Sequence, residues 1–90
     1  MIVYTYHART KLHKELSKLG ITQQLVTGAL RNPDELLYDA LRERHIAIDY
    51  KHTIVIVYEK DNNTMTVITI IYSSELDDMV KRRKRTGRWI

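Results

Sequence analysis

The chain reads as an α+β domain: one small unit over residues 1–90, with an antiparallel sheet of about four to five strands, two N-terminal helices and one C-terminal helix. Three observations predict it. "TIVIVYEK" and "TMTVITIIY" are nearly uninterrupted runs of β-branched, aromatic and Thr residues, joined through Asp61-Asn62-Asn63, the composition of a hairpin turn. Two stretches before them carry apolar residues at helical spacing, and a third follows them. Helices and strands are therefore segregated along the chain, which predicts helices packed on one face of the sheet.

Ile2 to Tyr6 is short, β-branched and aromatic, and reads as an edge or partner strand. From His7 to Leu19 the residues Ala8, Leu12, Leu16 and Leu19 make one apolar face, so this is the first helix, with Gly20 as its C-terminal cap. Thr22 caps a second helix, with Ile21 and Val26 as a hydrophobic staple. It runs to about Arg31, where Asn32-Pro33 stops it. "ELLYDA" reads as a short strand and "HIAIDY" alternates as a second one, while "LRERH" between them fits no single period. The two strong strands belong at the sheet centre. Ser74 is placed to cap a last helix from about Glu75 to Arg85, ended by Gly87.

The charge is uneven. Of 15 Lys and Arg residues, six lie in the segment 81–90, "KRRKRTGRWI", which holds no acid; the other nine face all 11 Asp and Glu residues in residues 1–80. A local cationic segment of that kind meets phosphates or acidic proteins without the rest of the surface taking part. Without cysteine there is no disulfide and no thiolate chemistry, which points to the cytoplasm. No apolar run approaches the length of a membrane span. Three Gly, one Pro and abundant Ile, Tyr, Lys and Arg fit the composition of a thermophile protein.

Basic residues fall into two groups. His7, Lys11, Lys14 and Lys18 form a stripe on the first helix, which is either a solvated face or a track for phosphates. In the last helix Glu75, Asp77 and Asp78 at the start and Lys81, Arg82, Lys84 and Arg85 at the end suit the helix dipole. Arg83 differs, because it continues the apolar stripe of Leu76, Met79 and Val80 and so turns toward the body of the domain. A guanidinium placed there needs an acid, a carbonyl or a ligand phosphate. Beyond Gly87, Arg88, Trp89 and Ile90 read as a packed tail. Of the histidines His7, His13, His45 and His52, no pair has a metal-ligand spacing. His7 stands out at a strand-to-helix junction with Arg9 close by. No nucleophile elbow or Gly-rich phosphate loop is present, so neither metal nor cofactor is expected. What Arg, Lys, His and Tyr can do unaided includes RNA cleavage through the 2′-hydroxyl, with His7 as base or acid, Arg9 and Arg83 as phosphate clamps and Tyr72 as an auxiliary proton donor.

The stretch "YHARTKLHKELSKLGITQQLVTGALRNPDEL" resembles the opening H-A-x-x-R/K, G-I-S/T, V and A-L-x-N-P elements of the domain family of unknown function numbered 4258. "VIVYEKDNNTMTVITIIYSS" followed by "KRRKRTGRWI" is similar to its strand pair and its Arg-rich G-R-W ending. The resemblance spans nearly the whole chain. His7 and Arg9 match the opening motif; Arg83, Arg88 and Trp89 match the closing one. That family is similar in layout to BrnT-type and RelE-type toxins, which implies a small α+β fold, a metal-independent ribonuclease activity and neutralisation by an antitoxin protein. One departure is that the basic cluster lies on the terminal helix and not on the sheet strands, where Lys51 is the candidate.

Three function classes follow. The first is a toxin-like endoribonuclease. The second is a non-catalytic nucleic-acid-binding module for RNA in preference to DNA, in which Lys11, Lys14, Lys18, Lys81, Arg82, Lys84, Arg85 and Arg88 grip phosphates and Trp89 stacks on an unpaired base. The third is a protein-interaction domain, with the tail docking an acidic partner or pairing two copies into a homodimer.

Overall fold

Ile2–Tyr4 forms strand β1, and Thr5 then turns the chain into helix α1 (Tyr6–Lys14). The Thr5 hydroxyl accepts the Ala8 amide at 3.1 Å, a standard N-cap that satisfies one of the free donors of the first turn. The computed structural model describes residues 1–90. Helix α1 is shorter than the apolar spacing predicts: after Lys14 the chain tightens into a 3₁₀ turn at Leu16–Leu19, closed by Gly20 at φ 79°. Hydrogen bonds from Gly20 to Ser17 and from Ile21 to Leu16, both 3.1 Å, draw the turn tight and bury Leu16 and Ile21. Helix α2 (Gln23–Arg31) is capped by Thr22 as expected.

Four antiparallel strands follow as a meander: β2 (Glu35–Asp39), β3 (Arg44–Asp49), β4 (Ile54–Asp61) and β5 (Thr64–Tyr72). The sheet order is β1-β5-β4-β3-β2, so the hairpin with the strongest apolar signal occupies the interior, as expected. β1 corrects the purely antiparallel reading, because it pairs with β5 in parallel, Ile2 opposite Met65 and Tyr4 opposite Val67. Two helices separate β1 from the meander, and a crossover of that length permits a parallel neighbour.

The helices are not confined to one face. Ala8, Leu12, Leu16, Ile21, Val26, Ala29 and Leu30 pack on Ala47, Ile54, Ile56, Tyr58, Val67 and Ile70. On the opposite face helix α3 (Leu76–Arg85) contributes Leu76 and Val80, which with Trp89 cover Ile46, Ile48 and Val55. Both parities of "TIVIV" are thereby buried, which is why that run is apolar at every position and not alternating. A register shift follows Val57, which pairs with Thr69 while Tyr58 pairs with Val67, leaving Ile68 as the extra residue of a bulge.

Ser74 does not cap α3. Glu75 occupies the cap position, and its amide donates to the Ser73 hydroxyl at 3.2 Å. At the other end Gly87, at φ 77°, reverses the chain so that the Arg88 and Trp89 amides both donate to the Arg83 carbonyl, at 3.0 and 3.1 Å. The tail then lies along β2: Ala40 donates to the Arg88 carbonyl at 2.8 Å and Ile90 to that of Tyr38 at 2.9 Å, with Trp89 opposite Asp39.

Candidate functional site

Helix α3 covers only part of its face of the sheet. Past its C-terminal end the sheet opens into a cleft of about 550 Å³ with Ile46, Val57, Ile68, Thr69 and Ile71 as its floor. Four guanidinium groups surround that floor: Arg42 from the β2–β3 turn, Arg44 from β3, Arg83 from α3 and Arg88 from the tail.

Each is held by its own local device. Asp39 is 4% exposed, and its Oδ1 accepts the amides of both Leu41 and Arg42 at 3.0 Å, which fixes the turn that carries Arg42. Its Oδ2 lies 3.4 Å from Arg88 Nε, an ion pair without hydrogen-bond alignment. Burial pushes the Asp39 carboxyl up, but the Arg42 amide, the Arg88 charge and the Leu41 amide outweigh it and hold the group below the usual aspartate range. The nearby Trp89 indole adds its dipole without a hydrogen bond of good geometry. Arg44 pairs with Glu59 across β4 at 3.2 Å. Arg83 lies over the Trp89 ring, 5.7 Å from its centroid, in a cation–π contact. Of the four, Arg42 and Arg83 have no carboxylate within ion-pair distance.

Comparison with protein-family models, curated proteins and solved structures finds no match to this chain.

Arg83 turns inward as its helical position predicts, and Arg88 and Trp89 join it. Trp89, however, is 4% exposed, its ring sandwiched between the Arg83 guanidinium and the apolar cluster under α3, so it has no free face on which a base could stack. His7 is exposed at the sheet edge where β1 has ended, and its Nε2 is 3.3 Å from the hydroxyl of Thr69, a floor residue of the cleft. Arg9 is on the far side of α1, beside His13, Ser17 and Gln23, and does not meet Arg83. Tyr72 pairs with Ile54, on the opposite face of the sheet.

Lys11 and Lys14 share a shallow depression with His7, but the change to a 3₁₀ turn takes Lys18 out of their row. Around α3 the bases diverge. Lys81 borders Glu75, Asp77 and Asp78, and Arg82 lies beside Met79 and Thr86. Lys84 is paired with Glu35, which also accepts the Tyr50 hydroxyl at 2.7 Å. Burial alone would raise the Glu35 carboxyl; Lys84 and Tyr50 together bring it below its ordinary value. Arg85 is exposed.

The residues that the charge count along the chain overlooks are Arg42, Arg44 and Asp39. Only Arg44 had a signal, visible once it is counted with the strand that follows: in "RHIAID" it falls on the same side as Ile46 and Ile48, the side that α3 covers.

Proposed function

We propose that this chain is a small RelE/BrnT-toxin-like protein that binds RNA in the arginine cleft. One observation carries the reading: four guanidinium groups from two distant stretches of chain, residues 42–44 and 83–88, converge on one concave surface that holds a single carboxylate, Asp39. Guanidinium forks suit phosphate oxygens, and a groove that gathers them binds a nucleic-acid backbone with little regard to sequence. A curved single strand fits such a groove better than a stiff duplex, and a contact to the 2′-hydroxyl is what would let the groove prefer RNA over DNA. Fluorescence anisotropy with labelled single-stranded RNA and DNA tests this: binding that weakens steeply with salt is expected, and Arg83→Ala should both weaken it and flatten that salt dependence. An affinity for RNA unaltered by Arg83→Ala, in protein that still folds, refutes the reading.

A second reading, a metal-independent endoribonuclease, is favoured by the contact between His7 and Thr69. It brings an imidazole to the rim of the cleft, where it could take the proton of a 2′-hydroxyl while Arg83 and Arg88 meet the charge that develops on the phosphate. Arg9 and Tyr72 have no part in it. Its products would be RNA fragments with 2′,3′-cyclic ends, lost in His7→Ala, and expression would arrest growth until an antitoxin partner bound the protein. Intact RNA after incubation with protein that demonstrably binds it sinks this reading and leaves the first standing.

A further inference from the structure

The structure has three buried side-chain nitrogen atoms without a hydrogen-bond partner, Arg83 Nε, Arg88 Nε and Trp89 Nε1, and all three belong to residues that line the arginine cleft. Buried donors are rarely left unmatched, because each loses its water without recovering a bond. Arg88 Nε and Trp89 Nε1 both lie near the Asp39 carboxylate without making a hydrogen bond to it, and Arg83 Nε has no acceptor, so the three together ask for a ligand. Guanidinium and indole nitrogens only donate, so the missing group must be an acceptor, and the surplus of positive charge makes it an anion.

The number of donors and the geometry narrow it further. An internal phosphodiester carries one negative charge and two free oxygens. A terminal phosphomonoester carries about 1.5 to 2 charges and three strong acceptor oxygens. The cleft holds two guanidinium groups, Arg42 and Arg83, that no carboxylate offsets. Asp39 balances the charge of Arg88 at 3.4 Å but leaves its Nε without a hydrogen bond. On the β2 side the cleft is closed by the tail, whose backbone is bonded to Tyr38 and Ala40. A strand entering from the β5 side meets a wall there, which suits a chain end better than a chain passing through. We infer that the end of the cleft formed by Arg83, Arg88 and Trp89 is a subsite for the terminal phosphate of an RNA strand. The inference rests on the reading of the cleft as an RNA site.

The test compares oligoribonucleotides of one sequence carrying a 5′-phosphate, a 3′-phosphate or hydroxyls at both ends, by anisotropy at fixed salt. One of the phosphorylated strands should bind about tenfold to a hundredfold more tightly than the hydroxyl-ended strand, the gain expected of charge-assisted hydrogen bonds, and which one does so identifies the end. Trp89→Phe and Arg83→Lys, which keep the ring and the charge while removing a donor, should each reduce that gain severalfold, with thermal melts checking the fold. Equal affinity of all three strands overturns the subsite while leaving RNA binding intact, and so does a gain that survives both substitutions. If no strand binds, the reading of the cleft as an RNA site fails, and a titration with uridine monophosphate decides the subsite alone. Trp89, the chain's only tryptophan, then reports through its fluorescence: a saturable change that uridine does not produce supports the subsite, and no change overturns it.

Discussion

Removing the arginines of the cleft one at a time should reveal which of them meet phosphate, and the ion pairs set the order. For single-stranded nucleic acid each neutralised phosphate contributes about 0.7 to the slope of log affinity against log salt. Arg42 and Arg83 have no carboxylate partner, so each is free to neutralise one phosphate, and Arg42→Ala or Arg83→Ala should each flatten the slope by about 0.7. Arg44 and Arg88 already face Glu59 and Asp39, and their removal should flatten it by less. At constant salt the loss for Arg83→Ala should be about tenfold or more, since a charged hydrogen bond contributes about 1.5 to 3 kcal/mol. The assay is anisotropy of a labelled single-stranded RNA over a potassium chloride series, with Lys11→Ala and Lys14→Ala as comparisons outside the cleft. Equal slope changes at all six positions would refute the reasoning, because binding would then depend on net charge and not on the cleft.

Further outcomes concern the scaffold. Trp89→Ala should destabilise the fold by about 3 to 5 kcal/mol, the usual loss for a buried large aromatic, seen as a lower urea midpoint by circular dichroism. Removing residues 88–90 should lower the melting temperature and promote self-association measurable by light scattering, because the edge of β2 that the tail covers is then open to pairing. Asp39→Asn should cost about 1 to 3 kcal/mol at neutral pH by loosening Arg88. The folded carboxyl titrates below its ordinary value of 3.8, so this stability is fully present above that value and disappears as the pH falls through the lower folded one. The gap between the two proteins in urea should therefore close in acid, and a gap that stays constant would speak against the charge as its cause.

The inward turn of Arg83 was legible because Leu76, Met79, Val80 and Arg83 share one helical stripe, and the packing of Trp89 was legible because so large an apolar ring gains from contact, whereas Ile90, read as packed with it, is 73% exposed. The interior hairpin was legible in its composition. What stayed hidden depends on pairing between distant segments. Neither the parallel direction of β1 nor the bulge at Ile68 is written in any local period. The placement of α3 on the second face was written, in a run of apolar residues at both parities of β4, but helices grouped by chain order pointed the other way. Arg42 and Arg44 lay in the one stretch with no clear period, and a turn held by the buried Asp39 is what makes them neighbours of the tail.

The parallel contact between β1 and β5 joins Ile2–Tyr4 to Met65–Val67, so the long stretch of chain between residues 4 and 65 must be closed into a loop before it can form. The meander needs only short turns. Pairing of β1 should accordingly be the late step of folding and the early one of fraying, with its amides exchanging hydrogen fastest among the strands. Every arginine of the cleft lies between residues 39 and 89, whereas His7 depends on the β1 closure for its position beside Thr69. An opening that releases β1 and the start of α1 would thus detach the imidazole from a phosphate-binding surface that stays assembled, separating grip from chemistry within one small domain.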